Sequence, residues 1–135
     1  MIDQNNIDTV FLALVIWREA RGESDDCKTA VGFSVLARVR HGGWWGKDVQ
    51  SVIFHKWQYS SMTAHNDPNL VQWPLSTEPA WMRCIVIASD IIDGLLVNPA
   101  PGADSYFDDS ITAPAWARKG RFITKIGRIN FYATV

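Results

Sequence analysis

At 135 residues, 47% of them apolar and 20% charged, the chain has the length of one domain and the composition of a soluble globular protein, not of a disordered tail or a collagen-like repeat. Its net charge of −1 gives no electrostatic reason to expect nucleic acid as a partner. The longest apolar run, residues 11–17, falls far short of the roughly 20 residues of a membrane span, so stable membrane association is not expected.

The N-terminal residues 1–6 lack the basic start and small-residue cleavage site of a signal peptide. The expectation is a protein made in a cytoplasm without an export address. Asp8 can cap a helix whose apolar residues Val10, Phe11, Leu14, Val15 and Trp17 cluster at helical spacing. That helix should run to Arg21, with Gly22 placed to end it. Ser24 or Asp25 starts a second helix through Arg40, with Ala30, Val31, Phe33, Val35, Leu36 and Val39 as apolar surface. Gly42 and Gly43 stop it.

Residues 44–79 read differently. A short helical piece, Val49 to Phe54, leads into the polar-aromatic segment Lys56-Trp57-Gln58-Tyr59-Ser60-Ser61 and the turn Asn66-Asp67-Pro68-Asn69. This is the expected loop or small hairpin region, and loops carry sites more often than cores do. Thr77 and Pro79 open a third helix through Trp81, Ile85, Val86, Ala88, Ile91 and Ile92, stopped at Gly94. Pro99, Pro101 and Gly102 form a rigid loop. From Tyr106 to Tyr132, β-branched and aromatic residues mixed with breakers predict short strands or irregular structure. The fold class is α+β, mainly helical: one domain over residues 1–135 with a small β or loop lobe.

Cys27 and Cys84 lie inside apolar helical patterns and read as buried small hydrophobes. His41, His55 and His65 are scattered without ligand spacing, so neither a metal nor a cofactor is expected. No Gly-x-Ser-x-Gly elbow, phosphate loop or dinucleotide fingerprint is present. Arg118-Lys119-Gly120-Arg121 is a small basic cluster, either a solvated face or a contact for an anionic polymer. Seven tryptophans are several times an ordinary share, suited to cores, interfaces and sugar faces alike.

Among 14 acidic residues only Glu19, Glu23 and Glu78 are glutamates. Glu19 ends a strongly apolar helix, with Val15 and Ile16 on neighbouring parts of its face. A carboxyl held against apolar surface keeps its proton towards neutral pH, as a general acid that protonates a glycosidic oxygen must. The alternative is a surface glutamate pairing with Arg18 or Arg21. Glu23, just before the second helix, reads as structural, and Glu78 as an ordinary helix-start acid.

Residues 16–23, Ile-Trp-Arg-Glu-Ala-Arg-Gly-Glu, resemble the Glu-Ala-Arg-Gly-Glu signature of the SleB-like cell-wall hydrolases, which include spore-cortex-lytic enzymes and phage endolysins. Further segments follow in order: Ala30-Val31 to Arg38-Val39, Gln58-Tyr59-Ser60, the phage-like turn at Asn66–Asn69, Gly102-Ala103 with Tyr106-Phe107, Pro114-x-Trp116, and Ile126-Gly127 with Phe131-Tyr132. The resemblance implies a lysozyme-like fold that cuts the glycan strand of peptidoglycan between N-acetylmuramic acid and N-acetylglucosamine. It implies Glu19 as catalytic acid, and Gln58, Tyr59, Ser60, Tyr106 and Tyr132 as substrate contacts. The family's usual histidine before the closing Phe-Tyr is Asn130 here, and Asp104 and Ser105 depart from the later loop. A lytic transglycosylase needs one carboxylate, whereas hydrolysis uses two; Asp67, Asp104 and Asp108 are the candidate second groups. As a monomeric endolysin the chain would sit in the host bacterial cytoplasm and need a holin to reach the wall. The alternatives are a muramidase, a spore-cortex enzyme, an idle glycan-binding module and a structural virion component.

Overall fold

The computed structural model describes residues 3–135. Met1 and Ile2, the start of the stretch read for an export signal, lie outside the described residues. Helix α1 (Gln4–Ala20) begins earlier than expected because Asp3 is its cap, accepting from the Asn5 N–H at 2.9 Å. Asp8 instead lies within the helix and accepts from the Gln4 amide at 2.9 Å. Leu12, Ala13, Leu14, Val15, Ile16, Trp17 and Arg18 are all buried in succession. A helix apolar on every side belongs in the interior, and α1 is enclosed by α2 (Asp25–His41), α3 (Val49–Ile53), α4 (Ser60–Thr63) and α5 (Pro79–Ile92).

Ser24 caps α2 through the Cys27 N–H at 3.2 Å, and Gly42 ends it at φ +69°. Acidic residues at its start and Arg38, Arg40 and His41 at its end both complement the helix dipole. Cys27 and Cys84 are buried free thiols, and burial pushes them up to about 12 and about 11.

Between α2 and α5, expected as a loop or small hairpin, the chain folds into short helical turns and no strand pair forms. Asp48 and Ser51 form a reciprocal cap on α3, and Asp67 opens a 3-10 turn at Pro68–Val71 by accepting from the Asn69 N–H. Both aspartates satisfy nearby backbone N–H groups, which removes the donors a strand pair would need.

The C-terminal part forms one antiparallel sheet, order β1-β3-β2, from β1 (Ser105–Asp108), β2 (Arg121–Ile126) and β3 (Ile129–Ala133). A short α6 (Ala115–Lys119) lies in the β1–β2 connection. Along β3, Ile129, Phe131 and Ala133 are buried while Asn130 and Tyr132 are less so, the alternation of a half-buried strand. Tyr106 pairs with Phe131 and therefore shares its face. No helix of the described residues is long and apolar enough to cross a membrane.

Gly32 on α2 lies close against α1 and α5. A Cβ there would stand 2.6 Å from Ile91 Cδ1 and 3.1 Å from Ile16 Cδ1. Gly32→Val should therefore overpack the α1–α2–α5 junction and cost about 1–3 kcal/mol in urea unfolding, whereas Gly32→Ala, whose helix propensity offsets the squeeze, stays near neutral.

Candidate active site

Glu19 lies in the last turn of α1, where the buried run before it fixes the direction of its side chain. The sheet meets it there. Tyr106, 87 positions away in sequence, donates its hydroxyl to Glu19 Oε1 at 2.7 Å. Burial raises the Glu19 pKa above its ordinary 4.5, and the charge of Asp67 adds to the rise. The hydroxyls of Tyr106 and Ser61 and the Arg38 cation oppose it. Ser61, which acts on the carboxyl through its hydroxyl, is fully buried and has no other hydrogen-bond partner among the described residues. Burial also drives the Tyr106 phenol well above its ordinary range, so it faces Glu19 as a donor only.

Neither arginine proposed as a partner of Glu19 pairs with it. Arg18 is buried and donates to the carbonyls of Gln72 and Ser61 at 3.1–3.2 Å. Arg21 stacks on Trp17 at 4.2 Å and donates to the side chains of Asn69 and Gln72. Both arginines thereby tie residues 61–72 to the end of α1. Glu23 is structural as read, held by Arg128 at 3.1 Å. Glu78 does more than start α5: it accepts from Trp17 Nε1 at 2.6 Å.

A cleft passes over the acid. Its central cavity, about 380 Å³, is lined by Glu19, Ser60, Asn69, Tyr106, Phe107 and Trp116 among others. Ser60 and Asn69 also line a neighbouring cavity with Asn66 and Asp67, about 410 Å³. Tyr106 and Trp116 are shared with a third, about 340 Å³, that contains Gln58, Trp44 and Trp57. The cavity of Glu19 thus shares wall residues with two others. A larger cavity of about 520 Å³ near Arg40, His41 and Pro101 is not the site, because its one carboxylate, Asp104, is otherwise committed. Asp104 accepts from the Thr134 N–H and hydroxyl and from Ser105.

The expected contact residues separate. Gln58, Ser60 and Tyr106 line the cleft. Tyr59 does not: it is 2% exposed, lies beneath the Arg38 guanidinium at 4.9 Å, and cannot touch a ligand from solvent. Tyr132 is also displaced from the acid, since strand alternation puts it on the face opposite Tyr106, packed on Phe107, Trp116 and Phe122. Of the candidate second carboxylates, Asp108 pairs with Arg128 at 3.1 Å, and Asp67 accepts from Ser60 and the Asn69 N–H. Asn130, in the place of the family's histidine, ties β3 to Phe107 and Asp109. The basic residues Arg118, Lys119 and Arg121 are exposed, as a solvated face would be. Sequence reasoning missed Ser61 and Arg38, whose roles depend on burial rather than on any spacing.

A family model described as Cell Wall Hydrolase matches residues 22–132. The chain resembles the catalytic domain of the germination-specific lytic transglycosylase SleB from Bacillus anthracis, with a TM-score of 0.73 and 24% identity over 97% of this chain and 96% of that one. The catalytic domain of the Bacillus cereus SleB protein gives a TM-score of 0.73 and 24% identity, over 98% and 92%. The expected mainly helical α+β fold is therefore borne out over the 97–98% of the chain that these structures cover. No curated protein sequence matches it.

The raised pKa of Glu19 has a thermodynamic signature. Its pKa is raised in the folded state, so below the ordinary 4.5 both folded and unfolded chains hold the proton and ionisation costs nothing. As pH rises from there through the folded value, the cost of a desolvated carboxylate appears in full. Glu19→Gln should then raise the thermal midpoint at about pH 8 and leave it unchanged at about pH 3.5. A stabilisation equal at both pH values would mean the carboxyl is not desolvated.

Proposed function

The chain belongs to the cell wall hydrolase family, and from that premise we propose that it degrades peptidoglycan as a lytic transglycosylase with Glu19 as its single acid and base. The observation that carries this reading is a carboxyl whose pKa burial raises, set in an open cleft and bonded by Tyr106, while Asp108, which lines the same cavity, is paired with Arg128 at 3.1 Å. Glu19 gives its proton to the glycosidic oxygen as the bond to the anomeric carbon of N-acetylmuramic acid breaks. The C6 hydroxyl of that sugar then attacks the anomeric carbon and returns its proton to Glu19. The products are a free 4-hydroxyl on N-acetylglucosamine and a 1,6-anhydro end. Tyr106 supports both halves, since its hydroxyl steadies the carboxylate that exists between them. The SleB domain from Bacillus anthracis, a lytic transglycosylase of the same fold, supports the same chemistry.

Glu19→Gln keeps the shape but cannot donate a proton, so clearance of purified peptidoglycan should fall about 10²–10⁴-fold. In heavy-oxygen water the new muramic ends should carry no label and weigh about 20 Da less than ends hydrolysed in the same water, the mass of the one heavy-oxygen water withheld. A second reading, a hydrolytic muramidase, draws on one observation: Asp67 is the candidate carboxylate whose charge reaches Glu19. Labelled ends, together with an Asp67→Asn protein as inactive as Glu19→Gln, would establish that reading instead.

The finer role is that of a phage endolysin, a monomer that waits in the host cytoplasm and reaches the wall through a holin lesion. The Asn66–Asn69 turn, similar to that of phage members, supports it, whereas the germination-specific relative favours a spore-cortex enzyme. Expressed in a bacterium, the chain should lyse cells only when a holin is co-expressed. Lysis without one, or digestion confined to spore cortex, would overturn the endolysin role and leave the chemistry intact.

A further inference from the structure

Beyond Tyr106 and Trp116 the cleft opens into the compartment walled by Trp44, Trp57 and Trp116, with Gln58 and Arg38 among its lining. Trp57 is held there in an unusual way. The Gln58 N–H donates to the His55 carbonyl at 3.1 Å, closing a turn with Trp57 as its third residue, and the backbone of Trp57 sits at φ +73°. Among the described residues it is the only non-glycine at positive φ. Glycine or asparagine is at ease in that position, and a bulky side chain is strained.

Folding gains little from this arrangement. The Trp57 side chain is 81% exposed, and the Lys56 ammonium lies over its ring at 4.8 Å. Trp44 is 66% exposed and rests on the His55 ring at 4.5 Å. Gln58 Oε1 accepts from Arg38 Nη1 at 3.1 Å, which commits the oxygen and leaves the NH2 as the donor end. Flat apolar faces beside one oriented amide donor match an N-acetylated pyranose. Such a ring presents C–H groups on its faces and a carbonyl acceptor on its acetamido arm.

We propose that this compartment is a sugar subsite in which Trp57 stacks an N-acetylhexosamine ring of the glycan strand and Gln58 donates to its acetamido carbonyl. Continuity with the Glu19 cavity through Tyr106 and Trp116 makes it the neighbour of the scissile bond. The inference rests on the peptidoglycan reading, but it concerns binding, which can be measured without cleavage.

The test titrates the Glu19→Gln protein with the tetramer of N-acetylglucosamine, followed by calorimetry and tryptophan fluorescence. Saturable binding with quenching is expected, and adding Trp57→Gly or Trp57→Asn should weaken it at least tenfold. Both replacements tolerate the left-handed backbone, so the thermal midpoint should stay level or rise while affinity falls. Unchanged affinity would overturn the subsite, and so would a lowered midpoint with affinity lost in proportion to unfolded protein. No tetramer binding by a Glu19→Gln protein whose parent clears peptidoglycan would also overturn it, leaving the proposed function standing. Conversely, Trp57-dependent binding in a chain inert on peptidoglycan would sustain the subsite and remove the catalytic reading.

Discussion

A buried guanidinium without an acidic partner organises this molecule. Arg38 is 7% exposed, and among the described residues no carboxylate lies in salt-bridge contact with it. A cation in that position is costly unless its N–H groups are satisfied. Here they meet the Asp104 carbonyl at 2.6 Å, Gln58 Oε1 at 3.1 Å and Ser105 Oγ at 3.3 Å, while Trp45 and Tyr59 offer ring faces at 5.1 and 4.9 Å. Those five partners come from the segments before α3, before α4 and at the start of β1. Arg38 therefore joins the end of α2 to both walls of the cleft, with fork geometry a lysine could not reproduce.

From that anchor the position of the acid follows. Ser105 and Asp104 immediately precede Tyr106, so fixing them sets where the phenol meets Glu19. The carboxyl is then balanced between opposing demands. Burial and the partial negative end of α1 favour the protonated form. Two hydroxyls and the Arg38 cation favour the ionised form. A group that must give a proton away and take one back is served by this balance, because neither state is made too stable to leave.

The three long helices were legible because their signals are local, whereas α4 and α6 were not read as helices. Ser24, Gly42, Pro79 and Gly94 act on neighbours a turn away, and Glu19 stands out by its apolar flank. Asp3 went unnoticed as the cap of α1 because it precedes a polar first turn, while Asp8 precedes the apolar run. Tyr59 was expected in the cleft because Gln58-Tyr59-Ser60 resembles the family's Gln-Phe-Ser segment. Its side chain turns inward because α4 starts at Ser60 and Arg38 covers the ring. Tyr132 was misplaced for a different reason: adjacency to Phe131 in sequence means opposite faces in a strand. The contact between Glu19 and Tyr106 has no local signal at all, only the register of β1 on β3.

Division of labour between the two parts of the chain explains why the site takes this form. A helix buried on every side is the most rigid platform available, and it carries the group whose position matters most. The sheet supplies the hydroxyl that sets the proton affinity of that group. The segment between α2 and α5, built from short turns capped by aspartates, supplies the cleft walls. Walls made of turns can present side chains in conformations that a helix or strand forbids, and Trp57 at φ +73° is such a case. The strained residue and the exposed rings of Trp44, Trp57 and Trp73 thus lie in this segment and not on α1, so the ligand-facing geometry can be held open without loosening the helix that holds the acid.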